Sequence, residues 1–193
     1  ANSVLHPTGD YTVSAWWKQE GDNAAITWQS IMTSRSSAEP GPKGYMMYLT
    51  PSNNYLDYWK GTTSSGSWVK NTSTSQSDWK ANGGGNPGTP GWNYYVIRFN
   101  GSNQTDLFLD GALIKSITSS KIMNVQNTTR PTRIGAGATE NAGAQYFFKG
   151  KIDDVAVWDE ALTDAEIYAL YNSGDTLYAK ENYGDYSSKD NLV

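Results

Sequence analysis

The chain has 193 residues, enough for one well-buried domain, and its 8 Trp and 13 Tyr stand among connections rich in Ser, Thr, Asn and Gly. A net charge of -4 and a pI near 4.9 argue against nucleic acid as a partner, because little basic surface is available to neutralise phosphates. We expect no membrane insertion, since no apolar run approaches the roughly 18 residues that cross a bilayer. Cysteine is absent, which excludes disulfides and thiolate metal sites.

Alternating apolar and polar residues, bounded by turn residues, predict a series of short strands. In residues 11–18 the alternate side chains Tyr11, Val13, Ala15 and Trp17 fall on one face. The strongest hairpin signal is Asp110-Gly111, because a two-residue turn needs the positive φ that Asp and Gly tolerate. The predicted strands are residues 11–18, 44–49, 55–59, 92–99, 106–109, 112–114, 133–135 and 151–158.

Two segments lack any strand or helix pattern. Residues 71–91 are rich in Ser, Thr, Asn, Gly and Pro and are predicted to form a long loop, which in a compact domain is usually functional or mobile. Residues 175–193 carry tyrosines among charges and serines without periodicity. We therefore expect one domain over residues 1–174, followed by a linker or C-terminal arm over residues 175–193.

A short helix of about ten residues is predicted after the last strand. Thr163 and Glu166 have the spacing of a capping box, in which each side chain satisfies a free backbone N–H of the first turn. Leu162 and Ile167 can form the accompanying hydrophobic staple, and the apolar stripe stops at Gly174. A helix this short does not persist alone in water, so we expect it to pack against a sheet.

Six segments occur in a fixed order: GDYTVSAWWK at 9–18, WNYYV at 92–96, LFLDG at 107–111, RIG at 133–135, GKIDDV at 150–155 and ALT at 161–163. Together they resemble the successive motifs of laminin G-like jelly-roll domains of the concanavalin A-like lectin/glucanase superfamily. The resemblance extends from about residue 9 to residue 174. It implies two curved antiparallel sheets, with the short helix closing one side, and a binding role outside the cell or on a virion.

The predicted fold class is therefore all-β, a two-sheet antiparallel jelly-roll sandwich with one short C-terminal helix. The family generally opens with a strand that reads like Phe-Asp-Gly followed by Asp-Tyr-Val, and nothing before His6 matches it. In the family that strand often supplies part of a calcium site. Residues 182–193 resemble the joints between modules of large phage and marine microbial proteins, so we expect the chain to be one module of a longer polypeptide.

The sequence predicts no enzyme. His6 is the sole histidine and lies near a terminus, so it cannot head a triad or a multi-histidine zinc site. Retaining glycosidases need two carboxyls about 5 Å apart, and the Glu-x-Asp-x-x-Glu run of hydrolases in this superfamily is absent. The nearest carboxylate cluster has a spacing unsuited to acid and base catalysis, and it consists of Asp153, Asp154, Asp159 and Glu160.

Strand parity places Asp153 on the same, inward face as Val155 and Val157, where a carboxylate must be hydrogen-bonded or bind a cation. One interpretation is a buried acceptor for loop N–H groups. The other is one structural Ca²⁺, which takes six to eight oxygen ligands. For this second interpretation the candidate metal ligands are Asp153 with Asp10, Asp110 and Asp106.

Sugar recognition uses flat aromatic faces, and ligand sites concentrate on loops held by a rigid scaffold. Aromatic residues in or near the long loop and the strand ends are therefore candidates for carbohydrate binding, although each could instead be a packing anchor. These candidates are Trp68, Trp79, Tyr58, Trp59 and Trp28. Tryptophans within the family's strand motifs are predicted to be core or loop-packing anchors, namely Trp16, Trp17, Trp92 and Trp158.

Two functions from different classes remain open at this point. The first is a non-catalytic lectin-like module that binds carbohydrate on a cell surface or polysaccharide, within a larger secreted or phage structural protein. The second is a structural or adhesion module that contacts neighbouring protein subunits, as an oligomer or in a multi-module chain, since an incomplete sheet edge invites strand pairing. A glycan-cleaving enzyme is the least favoured. Either favoured function predicts an extracellular, cell-surface or virion location.

Overall fold

The computed structural model describes residues 5, 7, 9–19, 28–36, 43–50, 56–61, 68–72, 91–101, 103–118, 131–137 and 143–172, with the backbone alone at residues 36, 60 and 68–72. Within these ranges it contains ten strands and one helix. Their bounds are β1 Tyr11–Gln19, β2 Gln29–Ser36, β3 Lys43–Leu49, β4 Leu56–Gly61, β5 Trp68–Thr72, β6 Asn93–Asn100, β7 Gln104–Leu109, β8 Ala112–Thr118, β9 Arg133–Ile134, β10 Gly150–Trp158 and α1 Asp164–Asn172.

The strands form two five-stranded antiparallel sheets. The first sheet has the order β10-β1-β6-β7-β8, and the second sheet has the order β5-β4-β3-β2-β9. This confirms the predicted two-sheet jelly-roll sandwich. Each predicted strand is present, and β8 extends beyond residue 114 to Thr118.

Two strands were not predicted. The sequence of β2, QSIMTSRS, is mostly polar and carries one β-branched apolar residue, so it lacks the alternation that marks a half-buried strand. The strand conformation of β2 is instead stabilised by pairing with β3 along seven residues. The strand β5 includes Asn71 and Thr72, so the predicted loop begins later than residue 71. The rest of that loop and the predicted arm lie outside the described residues.

The main core lies between the two sheets. The predicted inward face of β1, from Tyr11 to Trp17 by alternate residues, is fully buried. The ring of Tyr11 stacks on Tyr45 of β3 with centroids 5.6 Å apart, and its hydroxyl shares a hydrogen bond with the hydroxyl of Tyr58 on β4. The prediction that Tyr58 binds sugar is thus wrong, because parity along β4 turns this ring into the core.

A β-bulge in β10 changes the expected parity of its carboxylates. The register with β1 shifts between Ser14 and Trp16, and Asp154 adopts a φ of 44°. Because a bulge inserts one extra residue, Ile152 and Val155 both pack on the core although three positions separate them. The prediction that Asp153 faces inward is therefore wrong. Its side chain is exposed and accepts a hydrogen bond from the backbone N–H of Asp154 at 2.9 Å.

The helix α1 packs on the outer face of the first sheet. This confirms the expectation that so short a helix packs against a sheet. The capping box is formed, with the Thr163 N–H donating to Glu166 Oε2 at 2.7 Å and the Glu166 N–H donating to Thr163 Oγ1 at 3.2 Å. The staple residues Leu162 and Ile167 are buried. Residues that join them in this second cluster are Tyr94, Val96, Phe108, Trp16, Trp158, Leu170 and Tyr171.

Candidate functional site

An open groove on the outer face of the second sheet is the candidate site, with a volume of about 210 Å³. Its side chains alternate with core residues of the same strands, so that Met46 and Tyr48 of β3 face the groove whereas Met47 is in the core. The strand register sets Met46 directly opposite Trp59 of β4. The groove is lined by Trp28, Arg35, Met46, Tyr48, Trp59 and Tyr146.

Four aromatic rings follow one another around this groove. Trp28 lies edge to face against Trp59, with centroids 6.0 Å apart, and against Tyr48, with centroids 5.7 Å apart. Tyr48 in turn meets Tyr146 at 6.1 Å and an interplanar angle of 82°. Such edge-to-face contacts are favourable beyond the area that they bury, so the rings hold one another in place.

Backbone contacts place Tyr146 at the groove. Its carbonyl accepts a hydrogen bond from the Ser30 N–H at 2.9 Å, and the preceding Gln145 pairs with Gly137 through two backbone bonds of 2.7 Å. Gly137 fits because it has no side chain: a Cβ there would lie 2.6 Å from the Tyr48 hydroxyl and 3.1 Å from the Tyr146 ring. The glycine thus allows these two tyrosines to approach each other.

Two arginines give this face positive charge. Arg35 lines the groove, and Arg133 of β9 is opposite Thr33 of β2, which is itself opposite Met46. Burial raises the pKa of the Tyr48 hydroxyl above its usual value, while the positive charges of Arg35 and Arg133 act in the opposite direction. Both cations therefore lie close enough to the Tyr48 hydroxyl to lower its pKa.

Within the described residues, the lining of the groove includes no carboxylate. The carboxylate of Asp57 is opposite Tyr48 on the neighbouring strand, yet the residue is fully buried. The groove thus presents aromatic faces and a guanidinium to solvent, which suits a polar ring that carries hydroxyls or a negative group.

The five aromatic candidates from the sequence have different outcomes. Trp28 and Trp59 come together in the groove, and Tyr58 belongs to the core. Trp68 is the first residue of β5, where the backbone alone is described, and Trp79 lies outside the described residues. Binding by the four tryptophans stays a prediction.

Sequence reasoning missed several lining residues. Tyr48 and Met46 could have been found from the alternation of residues 44–49, which turns them away from the core. Arg35 belongs to the unpredicted strand β2, and Tyr146 lies in a connection with no regular pattern. Among the predicted anchors, Trp17 is fully buried and Trp16 packs under α1, whereas Trp92 is 41% exposed and is not part of the core.

The four predicted calcium ligands are not brought together. Asp10 lies beside Gly101 at one end of β6, and Asp110 accepts a hydrogen bond from the Tyr94 N–H at the other end, 2.8 Å away. Six residues of extended strand separate these ends by about 20 Å. Asp153 is aligned with Tyr94 across β1, and Asp110 follows β7, one strand further along the sheet, so three strand spacings of about 14 Å in total separate the two backbones.

The fourth predicted ligand, Asp106, is occupied within the first sheet. Its Oδ2 accepts from Arg98 at 2.7 Å, and its Oδ1 accepts from Gln104 at 2.7 Å and from Ser116 at 2.5 Å. No group of three or more His, Cys, Asp or Glu side chains suited to a metal occurs in the part of the chain that the structure describes. A bound calcium ion stays a prediction.

The carboxylates considered for catalysis lie on the other sheet from the groove. Asp153, Asp154, Asp159 and Glu160 are exposed on β10 or just after it. His6 lies outside the described residues.

The fold and the groove define a lectin-like jelly-roll domain. The chain belongs to the concanavalin A-like lectin/glucanases superfamily, because a laminin G model of that superfamily matches residues 1–168. None of the curated proteins matches it in sequence. The one helix among the described segments is too short to cross a membrane.

Solved structures share the fold at low sequence identity. The Ruminococcus gnavus IT-sialidase CBM40 bound to alpha2,3 sialyllactose is 14% identical with a TM-score of 0.64, over 88% of this chain and 86% of that chain. The same CBM40 bound to alpha2,6 sialyllactose is 17% identical with a TM-score of 0.61, over the same shares. The binding domain of Botulinum Neurotoxin DC in complex with SialylT is 14% identical with a TM-score of 0.55, over 89% of this chain and 36% of that chain.

Proposed function

We propose that this chain is a non-catalytic carbohydrate-binding module that holds a sugar ring in the groove on its second sheet. The observation that carries the proposal is the row of four rings, Trp59, Trp28, Tyr48 and Tyr146, around one open cavity with Arg35 in its lining. Aromatic faces suit the C–H patches of a sugar, and polar groups orient its hydroxyls.

The size of the groove suggests how much of a glycan it contacts. Pockets that enclose drug-sized ligands measure about 300–1,000 Å³, whereas this groove measures about 210 Å³. It would therefore hold one sugar residue, at the end or along the side of a glycan, and leave the remainder in solvent. This is the behaviour of a module that attaches to a surface.

The solved relatives support a glycan as the ligand. Two of them were solved with sialyllactose, on folds that cover most of both chains. The exposed carboxylates of β10 lie on the first sheet, whereas the aromatic groove is on the second sheet. They are therefore not placed to catalyse hydrolysis of a sugar held in the groove, which favours binding as the function. A location outside the cell, on a cell surface or on a virion, is the corresponding proposal for where the module acts.

A second candidate function is assembly with neighbouring protein subunits. The observation that favours it is the exposure of two large apolar residues near the edge strand β9, Ile134 at 58% and Phe147 at 63%. If these residues are an interface between copies of the chain, Phe147→Ser will lower the oligomeric mass measured by light scattering. A monomeric wild type would remove this self-assembly candidate.

The carbohydrate proposal is tested by a glycan array with the wild type and Trp59→Ala. The expected result is selective retention of the wild type and loss of retention in the variant, with the melting temperature of both proteins recorded. Trp92→Ala is the matched control, because Trp92 is an exposed tryptophan outside the groove. Equal retention of all three proteins, or retention of none, would overturn the proposal.

A further inference from the structure

We infer that the groove is specific for glycans that bear a carboxylate, and that Arg35 binds this carboxylate while the aromatic rings contact the sugar ring. The inference rests on the proposed function and specifies its ligand class. Three observations carry it: the position of Arg35, the second cation on the same face, and the aromatic lining of the groove.

Arg35 is positioned by β2 to reach into the groove. It follows Thr33 by two residues, so both side chains fall on the outer face of the second sheet. The residue directly opposite Arg35 on β3 is Gly44, which has no side chain to occupy the space across that strand. A guanidinium presents several N–H groups in a planar fork, a geometry that matches a carboxylate with two parallel hydrogen bonds.

The charge of this face contrasts with that of the whole protein. The chain carries a net charge of -4, yet Arg35 and Arg133 both act on the Tyr48 hydroxyl at the groove. The carboxylate of Asp57, opposite Tyr48 on the neighbouring strand β4, is fully buried. A ligand in the groove therefore contacts Arg35, with Arg133 of β9 on the same sheet nearby, and an anionic group on the sugar would be attracted to this positive charge.

The aromatic rings exclude a simple inorganic anion as the preferred ligand. Trp28 and Trp59 form one wall, and an anion alone would leave these faces without a partner. A sugar ring with a carboxylate satisfies both parts of the groove, because its C–H face contacts the indoles while its charge pairs with Arg35. Sialic and uronic acids have this chemistry.

The first experiment compares ligands on the wild-type protein. Binding of 3′-sialyllactose, its carboxylate methyl ester, lactose, oligogalacturonate and a sulfated galactose oligosaccharide is measured by calorimetry and on an array. The expected result is binding of at least one carboxylated glycan and a loss of about 10- to 100-fold when that glycan's carboxylates are esterified, as for a charge-assisted hydrogen bond.

The second experiment compares variants. We expect Arg35→Gln to lower affinity for the carboxylated glycan about 10- to 100-fold, and Arg35→Lys to lower it less, because lysine keeps the charge but loses the fork. Lys151→Gln, an exposed cation on the first sheet, is the matched control and should leave affinity unchanged. The ester comparison needs no variant, so it tests the inference even if Arg35→Gln does not fold.

The outcomes separate the inference from the proposed function. Equal binding of neutral and carboxylated glycans that is lost in Trp59→Ala but kept in Arg35→Gln overturns the inference and leaves carbohydrate binding standing. Preferred binding of the sulfated oligosaccharide, with no effect of esterification, also overturns it. Absence of binding to any glycan, in the wild type and all variants, overturns both.

Discussion

Trp28 and Trp59 meet edge to face with ring centroids 6.0 Å apart, although they come from opposite sides of β3. Trp28 directly precedes β2 and Trp59 belongs to β4, so the antiparallel pairing of both strands with β3 brings the two indoles together. The groove is thus built by the rigid sheet rather than by a single loop. This arrangement presents its rings to a ligand without ordering a long segment first.

The first prediction concerns the close contact at Gly137. The variant Gly137→Ala places a Cβ against the Tyr48 hydroxyl and the Tyr146 ring, which must then shift. We expect glycan affinity to fall about tenfold, corresponding to ~1.4 kcal/mol, because the two tyrosines no longer keep their positions. Calorimetric titration with the best array ligand measures this change.

Gly143→Ala is the matched control, because a Cβ at Gly143 meets no atom within 4 Å. It should bind as the wild type does. Unaltered affinity in Gly137→Ala would show that the Tyr48 and Tyr146 wall does not contact the ligand.

The second prediction concerns the ion pair that fastens α1 to the first sheet. Arg98 donates to Asp106 Oδ2 through Nε at 3.1 Å and Nη2 at 2.7 Å, while its Nη1 reaches Asp164 at 2.6 Å and the Leu162 carbonyl at 2.8 Å. Asp106→Ala leaves the guanidinium without its main partner in a partly buried place. We expect the free energy of unfolding to fall by about 2–4 kcal/mol, as measured with urea at pH 7.

The same pair predicts a loss of stability in acid. Burial alone would raise the pKa of Asp106, but hydrogen bonds from Ser116 and Gln104, together with Arg98, outweigh it and hold the pKa below its usual value. Its contribution is therefore present above about pH 4 and is lost as the pH falls through the lowered value. Asp159→Ala, an exposed carboxylate, serves as control and should change stability by less than about 0.5 kcal/mol.

The third prediction concerns Asp110. Its contribution to the free energy of unfolding changes with pH in the opposite direction to that of Asp106. Burial raises the pKa of this carboxyl to about 6, although its hydrogen bond from the Tyr94 N–H acts against the rise. The folded protein thus binds this proton more tightly than the unfolded chain, whose pKa is near 4. The contribution of Asp110 is full below about pH 4 and is lost as the pH rises through about 6.

Asp110→Asn removes the charge but keeps an oxygen acceptor for the Tyr94 N–H and tolerates the φ of 50°. We expect the variant to be more stable than the wild type at pH 7 by about 1 kcal/mol, since solvent screens part of the burial effect. The difference should shrink towards pH 4. Asp154→Asn, which also has a positive φ but an exposed side chain, is the control. A difference independent of pH would contradict the account.

The fourth prediction concerns calcium. A structural ion bound at Asp153 would raise the melting temperature of the protein in CaCl₂ relative to EDTA. Asp153→Asn should remove that difference, whereas Asp159→Asn should keep it. An identical melting temperature of the wild type in both buffers would end the proposal.

Most of the fold could be predicted from the sequence, because apolar residues alternate along most strands with the two-residue period of a strand that is buried on one face. The alternate apolar residues of β1 and the capping box at Thr163 are local signals, and both are confirmed. Asp153 was assigned to the wrong face because the bulge at Asp154 inserts one residue into β10 and reverses which residues face the core on either side of it. The residue types around Asp154 give no signal for a bulge.

The groove was predicted only in part. Trp28 and Trp59 were candidates because of their residue type, but their contact depends on how β2 and β4 pair with β3. Arg35 could not be assigned to a face without β2, and Tyr146 is placed by the bridge between Gly137 and Gln145. Such long-range pairings are not encoded in the periodicity of any one segment.

A crystal structure of the protein with the glycan that it retains best on the array will show whether the groove is the binding site. We expect a sugar ring against Trp28 and Trp59, with Tyr146 at its edge and Arg35 within hydrogen-bonding distance of an anionic group. A glycan bound on another surface, with the groove filled by water alone, would contradict this expectation.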